Sequence, residues 1–185
     1  MRKSIKSLLI VLVVAVAAVI FITTTASSTQ AINVLGAVQT SVGTSNAQVT
    51  LNAKEINDYE NQVAAMINNA REQNGLNALA FDGSLNAVAE TRSQDLINRN
   101  YFSHYTPEGT NVFDVMRASG VSFRYAGENL AQSAPASVGT PEGFMNAWMN
   151  SPTHMANILR AQYTKIGVSM VEIDSRRVVT TVFTN

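Results

Sequence analysis

Cysteine is absent from this chain, and histidine occurs twice in 185 residues, as His104 and His154. The first absence excludes disulfides, thiol nucleophiles and any cysteine-ligated zinc site. Stability therefore rests on a packed core, which a chain of this length can build. The second scarcity means that a site built on imidazole has one pair to draw on, fifty residues apart. Acid is missing from the start of the chain: no Asp or Glu precedes Glu55, whereas Arg2, Lys3 and Lys6 do. The formal charge of zero thus conceals an asymmetry. With those three set aside, ten basic residues face thirteen acidic ones, a net of −3. A mildly acidic domain with scattered Lys and Arg is poor material for a phosphate backbone, so nucleic acid is excluded as a partner.

Long apolar runs are also lacking, with one exception. "MRKSIKS" is followed by "LLIVLVVAVAAVIFI", fifteen uncharged residues. The order of charge then hydrophobe is that of a secretory signal. The run is short for a membrane span, which needs about twenty residues, although positions 23–26 bring it close. "TTA" ending at Ala26 and "TQA" ending at Ala31 are imperfect cleavage sites. Residues 1–26 are expected to direct export, either as a cleaved signal peptide or as an anchor contacting the membrane. The expected location is extracellular, on the outer face of the cell membrane or at the cell wall. Residues 27–51, rich in Ser, Thr, Gln, Asn and small apolar residues and devoid of charge, read as a flexible spacer.

The folded domain is expected over residues 52–185. Asn52 with Glu55 forms a helix-start signal, and Ile56, Tyr59, Val63, Met66/Ile67 and Ala70 follow as one apolar stripe. Gly75 stops that helix, and Leu76 and Leu79 lead toward the core. Asp82 opens a second helix with Leu85, Val88/Ala89 and Leu96/Ile97 on its inner side. Asn111 with Asp114 opens a short third helix, ended by Gly120. A strand is expected near "RYAGENLAQ". Thr140 and Pro141 then start another helix, with Glu142 favourably placed in its first turn. Two β-branched runs, near 164–173 and 177–184, read as an antiparallel hairpin. Helices packed on a small antiparallel sheet make this an α+β chain.

Few groups qualify for chemistry. His104, in "NYFSHYTPEG", sits in a loop, where functional side chains concentrate, but a surface turn histidine fits the local sequence as well. His154 follows "NSP", with Ser151 as expected cap and Pro152 in the first turn. The helix dipole there disfavours imidazolium, and a neutral imidazole suits metal ligation; a satisfied core histidine is the competing reading. Glu128 lies in the apolar segment "YAGENLA". Buried there, it needs a histidine or a cation as partner; on an edge strand it would face water. Ser103 lacks the G-x-S-x-G surroundings of a hydrolase nucleophile. Neither H-E-x-x-H nor a phosphate-binding glycine loop is present.

The motifs taken together resemble a known family. "FSH" after a long helix, "YAGENLA" and "AWMNSPTHMANIL" followed by "YTKIGVSMV" are similar to the bacterial branch of the CAP superfamily. That superfamily comprises the cysteine-rich secretory proteins, antigen 5 and pathogenesis-related proteins, also called SCP. The likeness includes "VAAMINNAREQNGLNALAFDGSLNAVAETRSQDL" and spans about residues 56 to 184. It implies an α-β-α sandwich with a central antiparallel sheet and an open cleft. In many members two histidines and two glutamates line that cleft, and the histidines bind a divalent metal, often zinc. By motif the "FSH" histidine is His104, the "GEN" glutamate is Glu128 and the histidine after "NSP" is His154. The second glutamate lies just after the tryptophan in many members; here Trp148-Met149-Asn150-Ser151 holds no acid.

The resemblance therefore implies a cleft lined by His104, Glu128, Asn150, Ser151 and His154, with His104 and His154 as metal ligands. An incomplete tetrad favours an extracellular binding module whose ligand is a cell-wall glycan or peptide, a lipid or an envelope protein. The alternative is a metal-dependent hydrolase in which Glu128 serves as catalytic base on a metal-bound water, beside His104 and His154.

Overall fold

A computed structural model describes residues 51–185, so the expectations for residues 1–50, an export segment and most of a spacer, lie outside the described residues. Among the described residues no helix is long and apolar enough to cross a membrane. Leu51, expected to end the spacer, packs against the core.

The element order is α1 (Ala53–Gln73), β1 (Ala80–Phe81), α2 (Gly83–Asn98), α3 (Val112–Ala118), β2 (Ala126–Ser133), a 3₁₀ turn (Ala136–Val138), α4 (Pro141–Met149), α5 (Pro152–Ile158), β3 (Lys165–Ile173) and β4 (Arg176–Thr184). Local chemistry sets most of these boundaries. Asn52 and Glu55 exchange hydrogen bonds with each other's backbone as a capping box, and Asn111 and Asp114 do the same at α3. Gly75 and Gly120 follow α1 and α3 with φ of +71° and +73°, the left-handed backbone that ends a helix.

The sheet order is β1-β3-β4-β2. The three long strands are antiparallel, as expected, with Ile166 opposite Phe183 and Glu128 opposite Val182. The sheet as a whole is mixed, because β1 pairs parallel with β3 through two residues only. Two residues are too few to give an alternating pattern, which is why the sequence hides this strand.

Alternation along the strands buries both faces of the sheet. Val63 and Ile67 of α1, Phe144, Met145 and Trp148 of α4, and Ile158 of α5 pack on Ile166, Val168, Met170, Val179 and Phe183. Leu85, Val88 and Ala89 of α2, with Val112 and Met116 of α3, pack on Val182 across the other face. Each fully buried aliphatic side chain contributes about 1.5–3 kcal/mol. At Gly167 the backbone of α2 at Leu85 and Asn86 comes so near that any Cβ would collide with it. This close approach seats α2, and therefore its buried polar residues, directly on the sheet.

Candidate functional site

β2 is an edge strand, and its residues divide between the two faces of the sheet. Glu128 faces α2, while Asn129, one residue on, faces the side that carries α5. The loop bearing His104 and the helix bearing His154 approach this edge strand from opposite faces.

On the α2 side, Glu128 is buried with its side chain 3% exposed, and it is fully paired. Arg92 Nε donates to Oε1 at 3.0 Å, and His104 Nδ1 lies 2.7 Å from Oε2. Arg92, itself 1% exposed, also donates to the Tyr101 hydroxyl at 2.9 Å and to the Ser103 carbonyl at 2.9 Å. The Tyr101 hydroxyl in turn donates to Asp95. Burial opposes the charge on Arg92, but Glu128 and Tyr101 outweigh it and hold the guanidinium above its usual pKa. Contact with Glu128 thus orients the His104 ring through Nδ1, with Nε2 as its other nitrogen. The histidine ring is itself about half exposed.

On the other side, α5 is tied to the same strand by amides. Asn129 Nδ2 donates to the His154 carbonyl at 3.1 Å. Asn157 Nδ2 donates to the Glu128 carbonyl at 3.1 Å and to Asn129 Oδ1 at 2.9 Å. Ser151 stands at the cap position of α5 but makes no capping bond. Its hydroxyl instead lies 2.8 Å from His154 Nδ1, which corrects the expectation of a serine cap. Burial chiefly, and then the charge of His104, lowers the His154 pKa below its usual value.

The structure therefore brings His104, Glu128, Ser151 and His154 to one edge of the sheet. Asn150 stays apart from this set in its hydrogen bonding: its amide donates to the carbonyl and side chain of Asn146 at 2.9 and 3.0 Å. Residues that sequence reasoning missed hold the site together. Arg92 is the counter-ion of Glu128, and Asn129 and Asn157 dock α5. A signal for Arg92 existed, since the α2 stripe of 85, 88/89 and 96/97 leaves positions 92/93 on the same inner face.

The donor set limits what metal chemistry fits. Both oxygens of Glu128 are occupied, and among the described residues no three His, Cys, Asp or Glu side chains converge as a metal-holding group. A three-ligand catalytic centre with an open position does not fit these residues. Each imidazole has its Nδ1 held by a neighbour, His104 by Glu128 and His154 by Ser151, which leaves Nε2 as the nitrogen a cation would meet. Orientation of a metal-binding histidine by a carboxylate or hydroxyl at its second nitrogen is the usual arrangement.

Comparison with known proteins bears on the family and the fold. The profile of the family described as "CAP: Cysteine-rich secretory protein family" matches residues 64–184. Protein YkwD of Bacillus subtilis (strain 168) is 40% identical over 120 residues, covering 65% of this chain and 45% of its own. An extracellular protein containing an SCP domain from Bacillus anthracis str. Ames superposes with a TM-score of 0.64 at 28% identity, over 74% of this chain and 44% of that one. An outer surface protein of Borrelia burgdorferi superposes with a TM-score of 0.63 at 23% identity, over 69% of this chain and 92% of that one. The chain spans less than half the length of the curated relatives it matches.

Proposed function

The chain belongs to the cysteine-rich secretory protein (CAP) family, and on that premise we propose that it is an extracellular or envelope-facing binding module whose ligand engages the free edges of His104 and His154. The observation that carries this reading is the saturation of Glu128 by Arg92 and His104. A carboxylate so held orients a histidine; it is not free to take a proton from water. The alternative, a metal-dependent hydrolase with Glu128 as base, needs that carboxylate to abandon a buried guanidinium, a step costing several kcal/mol. Family relatives named as extracellular and outer surface proteins, and the charge-then-hydrophobe order of residues 1–22, support an extracellular location.

A divalent cation such as zinc, held by Nε2 of both imidazoles, would offer a Lewis-acidic position to an oxygen of the ligand. The protein's own part is to hold the pair ready. Glu128 orients the His104 ring, Ser151 steadies His154, and burial disfavours the charged form of His154. Calorimetric titration of zinc into the wild type, His104→Ala and His154→Ala tests the reading together with a peptide-cleavage assay. Binding that needs both histidines, without cleavage, is expected. Zinc-dependent cleavage abolished by Glu128→Gln would replace the binding module with the hydrolase.

A further inference from the structure

Toward the far end of β2 from Glu128 lies a concavity of about 490 Å³, a volume within the range of small-molecule sites. Asn100 and Phe102 form one wall, Gln132 and Ser133 at the end of β2 the other, and Arg176 from the start of β4 completes it. Phe102 is 42% exposed and stands two residues before His104. Gln132 is four residues beyond Glu128 on β2, about 13 Å at 3.3 Å per residue. The groove therefore lies along the same edge strand that carries Glu128.

Its chemistry is that of an electropositive plate with amide donors. Arg176 donates to Asn100 Oδ1 at 2.8 Å, to the Tyr101 carbonyl at 3.1 Å and to Gln132 Oε1 at 2.8 Å. All three acceptors are uncharged oxygens, so these bonds fix the guanidinium without neutralising it. Its neighbour Arg177, by contrast, is paired with Glu172 at 2.6 Å. Because Arg176 takes the amide oxygens of Asn100 and Gln132, their NH₂ groups are left to donate elsewhere. A cation, two amide donors and an exposed aromatic ring match a ligand with a carboxylate, several acceptors and a flat apolar face.

An extended peptide fits less well. It would bind an edge strand by extending the backbone ladder. The carbonyls of Glu128 and Leu130 at the β2 edge are already taken, by Asn157 Nδ2 at 3.1 Å and by Trp148 Nε1 at 3.0 Å. Recognition in this groove falls to side chains.

We propose that the groove between Phe102 and Arg176 is a subsite for a carboxylate-bearing sugar of an acidic glycan. The inference rests on the binding-module reading, whose ligand it names by class.

The test titrates the full chain with two disaccharides, one carrying an N-acetylmuramate carboxylate and one neutral and built of N-acetylglucosamine, and with a short acidic peptide. The carboxylated sugar is expected to bind about tenfold more tightly than the neutral one, the scale of one hydrogen bond to a charged group. Phe102→Ala should weaken it by about fivefold or more. Phe81→Ala, an exposed aromatic on β1, should leave it unchanged. Equal affinity for both sugars, wild-type affinity in Phe102→Ala, or preference for the peptide would each overturn the subsite. Loss in His104→Ala alone would move the sugar to the histidines, ending the subsite but keeping the binding module. If no sugar binds, the subsite falls and zinc titration decides the histidine reading by itself.

Discussion

Arg92 and Glu128 meet between α2 and the sheet at 3.0 Å, with side chains 1% and 3% exposed. Removing two charges from water costs several kcal/mol each, and mutual attraction repays this only when the remaining polar atoms are also satisfied. Here they are: Tyr101 and Ser103 take the other guanidinium donors, and His104 takes the second carboxylate oxygen. The pair converts the stability of the core into the orientation of a half-exposed histidine.

Breaking the pair on one side should therefore be costly. Arg92→Leu is expected to destabilise the fold by about 3–5 kcal/mol, whereas Arg92→Leu with Glu128→Leu should recover most of that loss. Urea unfolding of the three proteins measures both. A cost for the single variant below about 1 kcal/mol, the scale of an exposed pair, would mean that water reaches this contact.

Ser151 separates site from stability. Because its hydroxyl bonds to His154 and not to the helix backbone, Ser151→Ala should change stability by less than about 0.5 kcal/mol. Thr140→Ala removes a true cap, the 3.1 Å bond from the Gly143 N–H, and should cost about 1 kcal/mol. Zinc affinity should respond in the opposite order, with Ser151→Ala weakening it by about 10–100-fold. Thermal melts and calorimetry on the two variants report both effects.

Acid should weaken the fold through His154. Its folded pKa lies below the unfolded value of 6.5, through burial and then through His104. The unfolded chain therefore binds more protons as pH falls. The stability linked to a neutral His154 is complete above 6.5 and is lost as pH drops through the folded pKa. Between about pH 7.5 and about pH 5, spanning the ordinary histidine pKa, the wild-type urea midpoint should fall further than that of His154→Asn. Parallel decreases would show that His154 does not titrate differently in the two states.

Gly167→Ala should prove among the costliest single-methyl additions. The new Cβ would collide with the α2 backbone at Leu85 and Asn86, which cannot rotate away as a side chain can. A loss of at least about 1–3 kcal/mol is expected by thermal unfolding, the cost of overpacking. An unchanged melting temperature would show that α2 can lift off the sheet without penalty.

Much of this architecture was legible because it is local. The Asn52–Glu55 and Asn111–Asp114 boxes and the Thr140–Pro141 start write helix boundaries directly into the sequence, and the β3–β4 hairpin is continuous in the chain. The candidate site was suggested in its histidines and Glu128 only through family motifs, since no spacing rule links residues 104, 128 and 154. What remained hidden depends on long-range contact. Arg92 finds Glu128 thirty-six residues away, and Asn157 finds the Glu128 carbonyl twenty-nine residues away. The bond from Ser151 to His154 is local, yet it was missed because cap chemistry predicts a backbone partner at that position.

The central claim, that His104 and His154 form one two-nitrogen seat, is open to a direct measurement because the chain has two histidines. Their imidazole carbon-bound proton signals can be followed by NMR during a zinc titration. A single seat predicts that both rings shift along one isotherm and that His154→Ala abolishes the shift of His104. Separate isotherms, or a His104 response that survives loss of His154, would contradict it.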